Sequence, residues 1–232
     1  KQRYKIEKVL GQGGFGVTYL AYDEELCQEV VLKKYRWEHG SLDNEVINKR
    51  DYYKKQRKAF LNEARILSSL FDIKEVVKVL DYFEERENAY IVMEFVQGIS
   101  LRQYLESRNQ PMSFTEAWNF LLPVMEALEK VHQNKLIHRD ISPDNFIIKE
   151  DGSIKLLDFG SAREYAEEKT MTVLVKKGYA PPEQYSRKGK QGPWTDIYSI
   201  CATLYEMITG VIPQPAMERL KADKLYLPSS YG

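Results

Sequence analysis

Three side chains between residues 136 and 160, Asp140, Asn145 and Asp158, carry oxygens that can take up a proton or a metal ion. The stretch around them, LIHRDISPDNFIIKEDGSIKLLDFG, holds two short apolar runs, residues 146–148 and 154–157, separated by Glu150, Asp151 and Gly152. Apolar runs flanking a turn-forming cluster predict a β-hairpin. Such a hairpin holds Asn145 and Asp158 at one end. Oxygen donors fixed on two stiff strands suit a hard cation such as Mg²⁺, which takes a carboxylate or two and leaves its other positions to water and phosphate.

The spelling H-R-D-x-x-x-x-N from His138 to Asn145, followed by D-F-G at 158–160, resembles the catalytic core of the eukaryotic-type protein kinases. The resemblance implies that Asp140 accepts the proton of the acceptor hydroxyl and that Asn145 and Asp158 hold Mg²⁺. Upstream, residues 11–16 read G-Q-G-G-F-G. A dinucleotide-binding fold needs a helix directly after those glycines, but Val17, Tyr19 and Ala21 continue as an apolar strand. A glycine-rich turn between strands instead lets backbone amides approach phosphate oxygens, with Gly11, Gly13, Gly14 and Gly16 giving room and Phe15 capping the triphosphate.

Further matches to the same family follow in order. Lys33, in Val-Val-Leu-Lys at 30–33, falls where the family carries the strand lysine that neutralises the α- and β-phosphates. Glu63 matches the helix glutamate that clamps that lysine. Residues 93–98, M-E-F-V-Q-G, resemble the hinge between lobes: backbone groups of Glu94 and Val96 would bond the adenine edge, with Met93 behind it and Thr18, Val31 and Ile147 around the ring. Residues 161–183 resemble an activation segment, closing on G-Y-A-P-P-E with Pro181 in place of alanine. In it Thr170 and Thr172 are the expected phosphorylation sites and Arg139 the group expected to bind the phosphate. Asp196 matches the buried aspartate that ties down the catalytic loop backbone.

The elements needed to position these residues are legible in the patterning. Strands are predicted over 6–10, 17–21, 29–33, 76–83 and 89–96. A helix is predicted over 59–70 from Phe60, Ala64, Leu67 and Leu70, after a densely charged stretch at 34–58 read as a loop and a solvated helical face. Ser100 with Gln103, and Ser113 with Glu116, have capping-box spacing, so helices should begin just after each serine. The second should run to about His132 with Phe114, Trp118, Leu121, Leu122, Met125, Leu128 and Val131 inward and an irregularity at Pro123. His132 is expected to pack or to lie at the surface rather than to ligate. A further helix is predicted from Trp194 to Thr209, and a short one over 216–224. The fold class is therefore α+β, a two-lobed protein-kinase-like fold. Residues 1–96 form a small five-stranded antiparallel sheet plus one helix, and residues 97–232 a mainly helical lobe lacking the family's last helices.

Composition bounds the partners. The 232 residues carry 34 basic and 34 acidic side chains, so no net field recruits nucleic acid or an anionic membrane. Cys27 and Cys201 show neither zinc-site spacing nor a disulfide framework, and no apolar run is long enough to span a bilayer. The segment is expected to be soluble and cytoplasmic. The wording at 11–16 and 178–185 resembles bacterial kinases, which commonly tether the kinase through a later membrane span.

Some positions depart from the family. Ser142 stands where the serine/threonine branch usually has a lysine facing the transferring phosphate, and Lys176 stands where that branch usually has a threonine. We expect Lys176, or its neighbour Lys177, to supply the displaced charge, because electrostatic stabilisation depends on where a charge sits and not on which segment carries it. Thr18 and Val31 replace the more usual valine and alanine, and Val31 narrows the adenine pocket. The implied activity is transfer of the γ-phosphoryl of MgATP to protein serine or threonine, including the chain itself. The rivals are a nucleotide-dependent pseudokinase scaffold and a small-molecule kinase; the H-R-D arginine and the A-P-E-like segment speak against the latter.

Overall fold

The computed structural model describes residues 3–13, 16–35, 49–86, 88–159, 163–164, 175–186 and 188–231. The chain divides into two units, one of Lys1–Asp72 and Val77–Val96, the other of Ile73–Val76 and Gln97–Gly232. Residues 73–76 go with the second unit because Leu156 N donates to Glu75 O at 2.7 Å and Val76 bridges Leu156.

The first unit is an antiparallel sheet in the order β1-β2-β3-β5-β4: β1 Tyr4–Gly13, β2 Gly16–Asp23, β3 Gln28–Tyr35, β4 Val79–Glu85 and β5 Asn88–Glu94. Strand alternation sorts its residues between two faces. Val30 and Leu32 join Tyr4, Ala21 and Val92 in one buried cluster, against which Tyr19, Phe83 and Tyr90 pack. The stacked rings Tyr4–Phe83 and Phe83–Tyr90, with centroids 5.7 and 5.1 Å apart, each add about 0.5–1.5 kcal/mol beyond their buried area. Val31 and Lys33 face the other way, opposite Thr18, Ile91 and Met93 in the register. Helix α1 (Lys49–Ser68) packs on that second face along β4 and β5, burying Phe60, Ala64 and Leu67, with Phe60 5.3 Å from the ring of Tyr35.

Helix α1 starts at Lys49, so the end of the charged stretch at 34–58 is helical, in line with its reading as a helical face, and runs on into the apolar period from residue 59. Strand β4 begins later than the expected residue 76, since residues 73–76 are engaged elsewhere, and runs past 83 to Glu85, while β5 ends at Glu94, before the expected residue 96.

The second unit is mainly helical: α2 (Leu101–Ser107), α3 (Phe114–Gln133), α4 (Pro193–Thr209) and the single turn α5 (Ala216–Arg219). Ser100 and Gln103 form a reciprocal capping box, and Ser113 Oγ accepts from Glu116 N. Helix α4 ends on Gly210, whose left-handed φ of 72° lets its N–H return to Glu206 O. The short strand β6 (Ile99–Ser100) leads into α2, and between α3 and α4 lie β7 (Leu136–Ile137), β8 (Phe146–Ile148), β9 (Ile154–Leu156) and β10 (Arg163–Glu164), paired as β6-β8-β9 and β10-β7.

Helix α3 corrects one expectation. It runs through Pro123 and buries Ala117, Leu121, Val124, Ala127, Leu128 and Val131, but leaves Phe114 58%, Trp118 40% and Leu122 38% exposed. The small residues Ala117 and Ala127 lie on the packed face, while Phe114 and Trp118 stack on each other outside it, with centroids 5.8 Å apart. Near its C-terminal end, Met125, Leu128, Glu129, His132 and Gln133 line a groove of about 410 Å³ with Pro193 and Ile197 of α4.

Candidate active site

The loop 138–145 is held from beneath by Asp196 in the first turn of α4. This carboxylate is fully buried and accepts from the backbone N–H groups of His138 and Arg139, both at 2.8 Å. His132 Nε2 lies 2.8 Å from the same group, so this histidine packs as expected and also orients Asp196. Arg139 has a left-handed φ of 72°, a conformation costing a non-glycine residue roughly 1–2 kcal/mol, which the Asp196 bonds offset. The His138 ring is buried; its Nδ1 accepts from Asp140 N at 3.2 Å, leaving Nε2–H to donate to Leu157 O at 2.7 Å, with the edge of Phe159 packed on it.

Asp140 is thereby presented from a backbone bonded at several successive points. Asn145 Nδ2 donates to Asp140 O at 2.6 Å and to Asp140 Oδ2 at 3.1 Å. With its amide hydrogens so used, Asn145 has Oδ1 as the atom it could offer to a cation. The expected hairpin is present: β8 and β9 pair Phe146 with Leu156 and Ile148 with Ile154, and Leu157 N closes its open end by donating to Asn145 O at 2.7 Å. That bond brings the backbone of Asn145 next to that of Asp158, whose φ of 54° is again left-handed. Burial pushes Asp140 above the ordinary carboxylate range, and Asp158 adds to this. His138, Lys176 and the Asn145 hydrogen bond oppose the shift without cancelling it.

The donor set fits magnesium. One carboxylate and one amide oxygen are what a cation that keeps water and phosphate ligands requires. Among the described residues no group of three or more His, Cys, Asp or Glu could hold a metal, so a closed structural site of the zinc type does not fit.

The other residues singled out by sequence fall in two sets. In the first unit Lys33 is buried on β3, on the face it shares with Thr18, Val31 and Met93. Glu63 belongs to α1, its side chain outside the described set. Gly11, Gly13 and Gly16 lie where β1 turns into β2; Gly14 and Phe15 are outside the described residues. Glu94 pairs with Lys78 through both its backbone N–H (3.0 Å) and its side chain (2.8 Å), and Val96 closes the unit. In the second unit, Ile147 is half-buried on β8. Arg139 is buried with Nε donating to Gln191 Oε1 at 2.6 Å, while Thr170 and Thr172 lie outside the described residues. Lys176 Nζ is 2.8 Å from Ser142 Oγ and 2.6 Å from Asp144 Oδ2.

Sequence reasoning missed two clusters around this loop. Gln184 Nε2 donates to Arg139 O at 2.7 Å, so Gln184 and Gln191, both buried, grip Arg139 from two sides. Arg102 of α2 donates to Glu206 of α4 and, at 2.6 Å, to Tyr179 Oη; Tyr179 Oη–H donates to Glu206. Burial and the Glu206 bond together push Tyr179 well above the usual tyrosine range. The one available signal was Glu206 standing in the apolar run of α4, where an unpaired carboxylate is costly.

The profile of the family described as protein kinase domain matches residues 4–227. The chain is 38% identical over 214 residues to the serine/threonine-protein kinase PrkC of Bacillus subtilis (strain 168), an overlap covering 91% of this chain and 31% of PrkC. It is 32% identical over 214 residues to the probable serine/threonine-protein kinase PknB of Lactococcus lactis, covering 91% of this chain and 32% of that protein. The chain thus spans about a third of the length of these curated relatives. A solved structure described as the PpkA-294 apo form matches at a TM-score of 0.72 and 31% identity, over 97% of this chain and 82% of that one.

Proposed function

The chain belongs to the protein kinase family, and on that premise we propose that it moves the γ-phosphoryl of ATP to serine or threonine hydroxyls of proteins, itself included. The observation that carries this reading is Asp140, held by Asn145 and made more basic by burial, in a loop anchored on buried Asp196. The names of the two bacterial relatives support the choice of serine and threonine.

In the proposed reaction a bond forms between the acceptor oxygen and the γ-phosphorus while the γ-phosphorus–oxygen bond to ADP breaks. The hydroxyl proton passes to Asp140, and ADP leaves with the electron pair of the broken bond. A general base works best when its proton affinity approaches the working pH, and burial moves Asp140 in that direction. Asn145 and Asp158 would hold Mg²⁺, which when bound neutralises charge on the phosphates. Lys33 would grip the α- and β-phosphates, set by Glu63, below the 11–16 turn. Thr18, Val31, Met93, Glu94, Val96 and Ile147 would receive the adenine. Thr170 and Thr172 are proposed autophosphorylation sites, with Arg139 as the receiving cation.

No helix among the described residues is long and apolar enough to cross a membrane. We place the segment in the cytoplasm, tethered or not through other parts of the protein, with proteins and ATP as partners and no nucleic acid. The test is incubation of the full-length protein with γ-labelled ATP and Mg²⁺, followed by phosphoamino-acid analysis. Label on serine and threonine is expected; binding of ATP with no label transferred would reject the reading.

A further inference from the structure

We propose that Lys176 supplies the cation that neutralises the transferring phosphoryl group, so that base and cation of one reaction stand on separate segments of the chain. This rests on the phosphotransfer reading above and specifies how its site is completed.

The loop 140–145 contributes no positive side chain after Asp140: Ile141, Ser142, Pro143, Asp144 and Asn145 are neutral or acidic. Ser142 is fully buried, and its short side chain leaves space that an ammonium group fills from outside the loop. Lys176 Nζ donates to Ser142 Oγ at 2.8 Å and to Asp144 Oδ2 at 2.6 Å. An ammonium has three N–H donors. Two are accounted for by the loop, and the third is the one offered to a phosphate oxygen. The side chain is 36% exposed, so ligand oxygens can reach it. Asp144 directly precedes Asn145, which bonds Asp140, so the ammonium stands on the reactive loop itself.

The backbone carrying this lysine is fixed. Lys176 O accepts from Tyr179 N at 3.1 Å and Ala180 N at 3.0 Å. Tyr179 is buried and anchored to α4 twice, by Ser199 Oγ donating to its carbonyl at 2.9 Å and by its hydroxyl on Glu206. Asp144 is also approached by Arg102 Nε at 3.7 Å, so its charge is shared between two cations. It is 44% exposed. An ion pair so open to water is weak, so Asp144 can hold the ammonium in the resting site and yield it to a more highly charged phosphate. The neighbouring lysines are otherwise placed: Lys177 is exposed, Lys149 bonds Asp151 and Ser153 in the hairpin turn, and Lys155 Nζ bonds Val76 O.

In the reaction Lys176 forms and breaks no covalent bond. It offsets negative charge on the phosphoryl oxygens while the acceptor oxygen–phosphorus bond forms and the bond to ADP breaks. Catalysis then requires residues 175–180 to be docked on α4, since the cation arrives with them.

The experiment is a relocation of the charge in the full-length protein, with kcat and ATP binding measured separately and thermal unfolding as the folding check. Lys176→Met and Lys176→Thr are expected to lower kcat by about 10²–10³-fold, as for loss of one electrostatic donor, with ATP affinity within about twofold. Adding Ser142→Lys to Lys176→Thr should recover the rate to within about tenfold of the unaltered protein, because the cation returns from the loop side. A merely structural ion pair would show no such rescue. Retention of kcat in Lys176→Met, or a double variant no faster than Lys176→Thr alone, overturns the proposal. An unaltered protein that transfers no phosphate overturns the phosphotransfer reading and this inference with it.

Discussion

Replacing Asp196 by alanine tests how far the reactive loop depends on one buried carboxylate. Asp196 is fully buried and takes two backbone hydrogen bonds at 2.8 Å, from His138 and Arg139, besides its contact with His132 at 2.8 Å. Alanine leaves the two backbone N–H groups buried without acceptors, and each such orphan costs about 1–3 kcal/mol. The sum, about 2–6 kcal/mol, is a large part of the stability of an ordinary domain. Asp196→Asn is milder: one N–H keeps an oxygen while the other faces an amide NH₂, for a loss of about 1–3 kcal/mol. Either change also frees Arg139 from its left-handed backbone, so Asp140 shifts. A displacement of about 1 Å in a reacting group lowers rates on the order of 10²-fold. Denaturant unfolding supplies the stability change, and kcat with ATP affinity measured on the asparagine variant supplies the rest. A loss below about 1 kcal/mol for alanine, or an asparagine variant with unchanged kcat, would show that the loop is fixed by something else.

Three further outcomes follow from the geometry. The folded-state proton affinity of Asp140 is raised, so ionising it opposes folding; the resulting stability is present below the unfolded carboxylate value and lost as pH rises through the folded one. Asp140→Asn should therefore melt higher than the unaltered protein at pH 7, with the gap closing toward pH 4, a trend that thermal scans at several pH values can confirm or exclude. Asp158→Asn should raise the Mg²⁺ concentration for half-maximal transfer by about tenfold or more, read from a magnesium titration of the rate. Gly178 has a φ of 90° and an added Cβ would come within 2.6 Å of Ile212 Cγ2, so Gly178→Ala should cost about 1–3 kcal/mol by unfolding and lower kcat through the Lys176 turn.

Legibility in the sequence followed the range of the interaction. The apolar residues Val17, Tyr19 and Ala21 and the turn-forming cluster at 150–152 are local signals, and strand β2 and the hairpin formed where they pointed. Ser100 and Ser113 cap the helices that begin after them. The order of H-R-D, N and D-F-G is also local, and the structure puts Asn145 directly on Asp140. What failed depended on partners far away in the chain. No pattern within residues 73–76 reveals that Leu156 bonds them, and none within α3 reveals that its close neighbours meet the alanine face and leave Trp118 outside. The first turns of α1 carry no apolar period, so only their charged composition marks them as helical. No local pattern singles out Gln184 and Gln191, since a buried amide is defined by what it bonds and not by its spacing.

The most direct measurement of the central claim is γ-phosphoryl transfer and ATP affinity determined side by side in the full-length protein and its Asp140→Asn variant. The account predicts an ATP dissociation constant unchanged within about twofold and a transfer rate at least about 10²-fold lower, because Asp140 takes the acceptor proton and does not bind the nucleotide. Equal transfer rates in the two proteins, or nucleotide binding with transfer in neither, would contradict it.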